Sequence, residues 1–390
     1  MIFLDYASTS PMSKKALAVY HETAAHVFGN TASLHEGGFA ATQIYEASKD
    51  VIAGKLGASP DEIFFTSGGT EGNERAIYSL TAPFIGKNKH VITTKIEHPS
   101  VLSVFKALEN DGFHVTYLDV EKDGMVNLRT LTDSLTKETV LVSIQHGNSE
   151  IGTLQPLQEI GHVLNERGIL FHTDAVQTFG KIPFTVKDLG VSALTVSAHK
   201  VFGPKGVGAV YIKEEVPWNP VSPLTSRSHE RGFRPGTINT PGIAAFAQAV
   251  LDINIEQTKR ELEKIRTFFI EYLTSNIPKA IIEGSFSQRC PHIIGFRIPQ
   301  IEGQYAMLSL DRYGICVSTG SACQVAKQEG SHVLSSIGKN NQEAREFVRV
   351  SISHTTTYKD LKRTVDVLVS LIGKTEEEFY NDEEVARGRA

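Results

Sequence analysis

The stretch "SAHKVFGPKGVG" (197–208) ends an apolar, β-branched run with a histidine and a lysine. A lysine at a strand tip is ordinarily solvated. Here, however, four other apolar runs also end in reactive or hydrogen-bonding groups: "TSGGTEGN" (66–73), "IEHPS" (96–100), "QHGNSEIG" (145–152) and "HTDAVQ" (172–177). In the first, Gly68 and Gly69 allow close backbone approach, Thr70 adds a hydroxyl, and a helix start behind them favours an anion. The same stretch also reads as an ordinary strand-to-helix turn, and it is neither a Walker loop nor GxGxxG. Asp174 follows an apolar run, where an unpaired carboxylate is costly to bury, so it needs a partner and can equally belong to a structural ion pair. His98 precedes a proline able to open a helix, and a single histidine there is as readily structural as catalytic.

The elements that must position these groups follow from periodicity. Short apolar runs rich in β-branched residues ("EIFFTSG", "HVITTKIEH", "HVTYLDV", "TVLVSIQHGN", "ILFHTDAVQ", "ALTVSAHK", "VGAVYIK") alternate with helix-period segments such as "SVLSVFKALENDG" and "LQEIGHVLNERG". This alternation predicts an α/β fold with a mostly parallel sheet covered by helices on both faces. Beyond it, "AAFAQAVLDINIEQTKRELEKIRTFFIEYL" predicts one long connecting helix to a smaller C-terminal unit. There short strands ("HIIGFRI", "FVRVSIS") mix with a helix whose stripe is Leu361, Val365, Leu368 and Ile372.

Open α/β sheets bind ligands outside the carboxyl ends of their strands, so five polar tips predict one composite pocket. A phosphate cradle, a carboxylate, a histidine and a lysine are what pyridoxal 5'-phosphate requires. The phosphate takes backbone N–H groups and hydroxyls. The ring nitrogen needs an anion to stay protonated, and the aldehyde needs a lysine amine, which desolvation makes easier to deprotonate.

Composition fits such an enzyme and excludes other classes. The 390 residues carry a formal net charge of −5 with no basic block, so neither nucleic acid nor an anionic membrane surface is an expected partner. No apolar run reaches the roughly 18 residues of a membrane span, and "MIFLDYASTSP" lacks the pattern of an export signal. Three cysteines (Cys290, Cys316, Cys323) make no disulfide framework, in keeping with a reducing cytoplasm.

Nine motifs in order carry a resemblance over nearly the whole length: "FLDYASTSPMS", "FGNTASLHEGG", "FFTSGGTEGN", "EHPSV", "NSEIGTLQP", "HTDAVQTFGKIP", "SAHKVFGPKGVGA", "HERGFRPGT" and "STGSACQVA". The chain resembles the NifS/IscS-like cysteine desulfurases among fold type I pyridoxal-phosphate enzymes. The resemblance implies an aspartate aminotransferase-like fold, with a large cofactor domain over 16–257 and a small α+β domain from 1–15 and 258–390. It implies that Lys200 carries the cofactor, Asp174 faces the ring nitrogen, Gln177 the phenolate oxygen, and His98 stacks on the ring and moves protons. Gly69, Thr70, Ser197 and His199 would hold the phosphate, and Thr237 that of the partner subunit in a homodimer. Asn148 and Arg349 would meet the carboxylate of L-cysteine, with Asn148 also near the cofactor.

The cysteines divide by setting. Cys316 lies in "GICV" and reads as core, and Cys290, before a proline, has no helpful neighbours in sequence. Cys323 lies in "STGSAC", among small residues, as an accessible thiol requires. By resemblance Cys323 is the nucleophile that takes the sulfur of L-cysteine as a persulfide, leaving L-alanine. An iron–sulfur scaffold or a thiolation enzyme would accept that sulfur. Gly147, Pro235 and Gln324 depart from the family pattern. An aminotransferase, a selenocysteine lyase, or a non-catalytic sulfur-transfer docking protein are the alternatives on the same scaffold.

Overall fold

The structure is a computed structural model that describes residues 1–220, 230–320 and 330–387, with side chains up to residue 373. Its strands are β1 (Ile2–Phe3), β2 (Ile63–Thr66), β3 (His90–Thr94), β4 (His114–Leu118), β5 (Thr139–Ser143), β6 (Leu170–Asp174), β7 (Ala193–Ser197), β8 (Gly208–Ile212), β9 (Ile281–Ile282), β10 (Ile293–Arg297), β11 (Ile315–Cys316) and β12 (Phe347–Ser351). Seven of them form one sheet in the order β2-β8-β7-β6-β5-β3-β4. The pairings from β7 through β4 are parallel, and β8 runs antiparallel to both β7 and β2. The mostly parallel sheet expected from the alternation is present.

Successive strand residues point to opposite faces, and the two faces fill different cores. Val142, Phe171 and Leu194 pack with Ile52, Leu56, Ile160, Leu164 and Phe246. Their neighbours Leu141, Leu170 and Ala193 pack with Ile77, Leu80, Val101 and Phe105. Burial on both sides is what the near-continuous apolar runs encode.

The long connecting helix of the sequence reading is broken. Residues Thr240–Leu251 and Ile255–Asn276 form two helices, and the Asn254 side chain caps the second by accepting from the Gln257 N–H (3.1 Å). Asparagine's preference for the N-cap overrides the helical periodicity on either side. A further core joins helix Ile255–Asn276, the sheet β12-β10-β9 and the stripe Leu361, Val365 and Leu368. Leu4 enters the same core, since β1 pairs in parallel with β11.

Candidate active site

The carboxyl ends of β2, β3, β5, β6 and β7 converge on a cavity of about 310 Å³. Gly69, Thr70, His98, Gln145, Asp174, Gln177, Ser197, His199 and Lys200 are among its walls. Another cavity, of about 410 Å³, opens beside Lys200 and Lys181 toward Phe202 and His354. The first is the site, because the titratable strand-end groups meet there.

Each group is positioned by local sequence. Gly68 takes φ +149°, which side chains rarely adopt, at the N-cap of helix Gly69–Thr81. Room there is tight: a Cβ on Gly69 would lie 2.9 Å from Val176 Cγ2, and one on Gly208 2.8 Å from Gly68 Cα. Glu71 fixes the turn by accepting from the Ser67 N–H (2.6 Å) and from Arg75 Nε (2.8 Å). Burial pushes the Glu71 carboxyl up, but these bonds and Arg234 outweigh it and hold it at about 2. His98 caps helix Pro99–Asn110, its Nδ1 accepting from the Ser100 N–H (3.1 Å), with Pro99 at the first helical position.

Asp174 closes β6. Its Oδ2 accepts from Asn73 Nδ2 (2.7 Å), and its Oδ1 accepts from the Val176 N–H (2.9 Å). Asn73 also donates to Ser100 Oγ (3.0 Å), so one amide ties the carboxylate to the helix behind His98. Asn73 lies one turn after Thr70 on the same helix face, a spacing that marks it in the sequence, though it was not singled out there.

Lys200 Nζ donates to the carbonyls of Ala7 (2.5 Å) and Ser8 (2.8 Å). Burial and the neighbouring Arg349 lower its amine to about 8, against the pull of Asp174 and Asp5. His199 is held neutral, near 4, by burial and by Lys200, Lys205 and Lys181. The His98 ring opens onto the cleft but is packed about by protein. Burial lowers its pKa, Asp174 opposes this, and Lys200 and His332 add to the lowering. Gln177 donates to the Ala7 carbonyl (3.0 Å) and turns its Oε1 to His292 Nε2 (3.3 Å).

Two expected substrate contacts are engaged within the protein. Asn148 donates to the Ile96 carbonyl (3.1 Å) and accepts from the N–H groups of Glu150 (2.8 Å) and Ile151 (2.9 Å), so its amide organises the 147–152 turn. Arg349, on β12, donates to the Ser149 carbonyl (2.9 Å), Asp5 Oδ1 (2.6 Å) and Ser8 Oγ (2.7 Å), which leaves its buried Nε unpartnered. Thr237 is exposed and does not line this cavity. Cys323 and Gln324 lie outside the described residues.

Two readings of the cysteines change. Cys316 is half-buried on β11 rather than in the core. Cys290 is fully buried and does have charged neighbours in Lys181, Arg289 and Arg266, yet burial wins and pushes its thiol up to about 12. It also accounts for the Gly147 departure: a Cβ on Gly147 would lie 2.6 Å from Cys290 Sγ and 2.7 Å from Thr178 Cγ2. Local sequence reading also missed Glu97 and Lys181, since only the tertiary fold buries them. Glu97 accepts from the Gln145 N–H (3.0 Å) and Thr94 Oγ1 (2.7 Å), and burial raises it to about 8. Lys181 Nζ donates to the Lys200 carbonyl (2.9 Å), and burial lowers it to about 7.

The donor set fits pyridoxal phosphate. Ser197 Oγ, at the end of β7, is buried without a protein hydrogen-bond partner beside the Gly68–Gly69 turn, which fits a hydroxyl that binds a phosphate. Asp174 and Lys200 present an anion and an amine to the same space. Among the described residues no cluster of side chains could hold a metal ion, and no helix is long and apolar enough to cross a membrane.

The aminotransferase class-V family model matches residues 2–364. The chain is 42% identical to the NifS of Bacillus subtilis (strain 168), with 100% of this chain and 99% of that protein covered. It is 41% identical to the cysteine desulfurase IscS of Dictyoglomus turgidum, over 96% of this chain and 95% of that protein. A solved NifS-like protein superposes with TM-score 0.89 at 32% identity, covering 95% and 99% of the two chains. The chain thus belongs to the class-V aminotransferase family of pyridoxal-phosphate enzymes, and within it to the NifS- and IscS-like cysteine desulfurases.

Proposed function

We propose that this enzyme takes the sulfur of L-cysteine onto Cys323 as a persulfide and releases L-alanine. One observation carries the reading. Lys200 and Asp174 face one cavity whose wall holds the unpartnered Ser197 hydroxyl, an amine, an anion and a phosphate ligand in one place. Overall, L-cysteine and a thiol give L-alanine and a persulfide, so sulfur changes partner and no outside oxidant is needed.

When bound, pyridoxal phosphate supplies an electron sink for the carbanion formed at the substrate's α-carbon. Gly69, Thr70, Ser197 and His199 would hold its phosphate and Gln177 its phenolate oxygen. Asp174, held by Asn73, would face the ring nitrogen and favour a proton there. Lys200 moves the α-proton; an amine at about 8 is partly neutral near pH 7, where an ordinary lysine is not. His98, uncharged near neutral pH, can pass a proton across the cleft. Arg349 receives the substrate carboxylate by exchanging Asp5 or Ser8 for it or by offering its spare Nε, with Asn148 shaping the adjoining turn. The Cys323 thiolate forms the S–S bond as the substrate's C–S bond breaks, and the electron pair stays on the carbon side.

The same reading has a large domain of 16–257 and a small one of 1–15 and 258–390, and a cytoplasmic homodimer in which Thr237 reaches the partner's phosphate. Thr237's exposure supports that role. The sulfur acceptor would be an iron–sulfur scaffold or a thiolation enzyme.

Product analysis tests the proposal. With L-cysteine and a reductant, alanine and sulfide should form in equal amounts, and both should vanish in Lys200→Ala and Cys323→Ala. Turnover of L-cysteine by Cys323→Ala would remove the persulfide role and favour a lyase or aminotransferase. No alanine from cysteine or selenocysteine would leave a docking protein.

A further inference from the structure

We propose that Glu150 is a positioning residue for sulfur transfer, its carboxylate bonding Ser331 and lying close under Gly320, the described residues that flank the segment carrying Cys323. The inference rests on the reading of Cys323 as the sulfur acceptor. Glu150 follows Asn148 and Ser149 in the turn whose shape Asn148 sets; it is buried and does not line the substrate cavity. On the entering side, Gly320 takes φ +81°, and a Cβ there would lie 2.9 Å from Glu150 Oε2, so the backbone passes directly over the carboxylate. On the leaving side, Ser331 Oγ donates to the same Oε2 while accepting from the N–H groups of Val333 (3.1 Å) and Leu334 (3.2 Å). One oxygen therefore bonds Ser331 and lies close to the Gly320 backbone, with ten residues between the two.

A second tie sits beside it. His332 Nε2–H donates to the Glu97 carbonyl (3.0 Å), one residue before His98. The preceding Ile96 carbonyl accepts from Asn148. The leaving end is thus tied both to the turn that presents His98 and to the turn that Asn148 shapes. A thiol must come within bonding distance of the substrate's sulfur, and misplacement by about 1 Å can lower a rate a hundredfold. The ties at Ser331 and His332 act on the sulfur-transfer step through these two turns and do not touch the cofactor pocket. The φ of +81° at Gly320 is one that favours glycine.

Glu150→Ala, Glu150→Gln and Ser331→Ala would be prepared as holoenzymes beside the parent and Cys323→Ala. Three readouts are needed: persulfide on Cys323 by mass spectrometry, the absorbance change on adding L-cysteine, and the alkylation rate of Cys323 by iodoacetamide relative to Cys316. The proposal expects Glu150→Ala and Ser331→Ala to form persulfide at least tenfold more slowly. The L-cysteine concentration at half the absorbance change should stay within twofold, and relative alkylation of Cys323 should change at least threefold. Glu150→Gln, which keeps an oxygen for Ser331, should fall between. Unchanged persulfide and alkylation rates in both alanine variants would overturn it. So would loss of the absorbance response in step with the persulfide, which marks a general structural defect. Should Glu150→Ala not fold, Ser331→Ala decides. Turnover by Cys323→Ala would instead remove the underlying reading, independently of how Glu150 behaves.

Discussion

At the scale of the residue, the site works by holding charged groups in partial burial without leaving them unpaired. Asp174 shows how. Its carboxylate lies at the end of a fully buried strand, and Asn73 Nδ2 is its side-chain donor at 2.7 Å. A hydrogen bond to a charged group contributes about 1.5–3 kcal/mol, and removing the donor leaves a buried anion short of a partner. Asn73→Ala should therefore weaken pyridoxal-phosphate binding roughly ten- to hundredfold. An absorbance titration of the cofactor-free protein checks it, and a change within threefold would show that Val176 N–H alone suffices to hold Asp174. Asp174, Lys200 and Ser197 were legible in the sequence because each ends an apolar run. Asn73 is a helical residue whose importance depends on which helix packs behind β6, which no local pattern states. Gly147 is similar: its meaning lies in Cys290, a residue distant in sequence whose sulfur occupies the space a side chain would need.

At the scale of the element, strand tips and the turns after them do most of the positioning. Their cores were legible because two-sided burial requires continuous apolar runs, and the seven predicted strands coincide with β2 to β8. The break at Asn254 was not, since cap and helix patterns overlapped there. Glu97 beyond β3 allows a test of how a tip is held. Its carboxyl is raised to about 8 when folded, chiefly by burial, against an ordinary value of 4.5. Between those values the folded state keeps a proton that the unfolded state has lost, so stability falls as pH rises through this window. The slope is at most about 1.4 kcal/mol per pH unit. Glu97→Gln should flatten urea-unfolding stability between pH 5 and 8 relative to the parent, and parallel curves would contradict the burial argument. Gly208 tests the cradle in the same way. A methyl there meets Gly68 Cα and the Val196 carbonyl at 2.8 Å, both backbone, so neither can swing aside. Gly208→Ala should lose about 1–3 kcal/mol and show weaker cofactor loading. Unchanged loading in a folded variant would uncouple β8 from the Gly68 turn.

At the scale of the whole molecule, the first ten residues join the core around β10 and β12 to the strand ends of the large sheet. β1 pairs with β11, while Leu4 donates its N–H to the Cys316 carbonyl (2.9 Å) and enters the core around β10 and β12. The next residues cross to the large sheet. The carbonyls of Ala7 and Ser8 accept from Lys200, the Ala7 carbonyl also accepts from Gln177, and Thr9 Oγ1 meets His199 Nδ1 at 3.1 Å. Asp5 completes the link through its 2.6 Å ion pair with Arg349 on β12. The motif "FLDYASTSP" was visible in the sequence, but its place between both halves was not, because nothing local says that the chain's start and β12 meet. Asp5 raises the Lys200 amine while Arg349 lowers it. Asp5→Asn removes the first influence and leaves Arg349 without its anion, so the Lys200 pKa should fall below about 8. A neutral amine is the form that condenses with an aldehyde. The rate at which cofactor-free Asp5→Asn takes up pyridoxal phosphate should therefore keep its plateau at lower pH than the parent does. The variant should also lose about 1–3 kcal/mol of stability, since asparagine preserves an acceptor but not the charge. A pH–rate profile of cofactor uptake, read at the absorbance of the loaded enzyme, separates the two effects. A shift of the acid limb to lower pH confirms the electrostatic coupling, and an unmoved limb with lowered stability would reduce Asp5 to a structural tie.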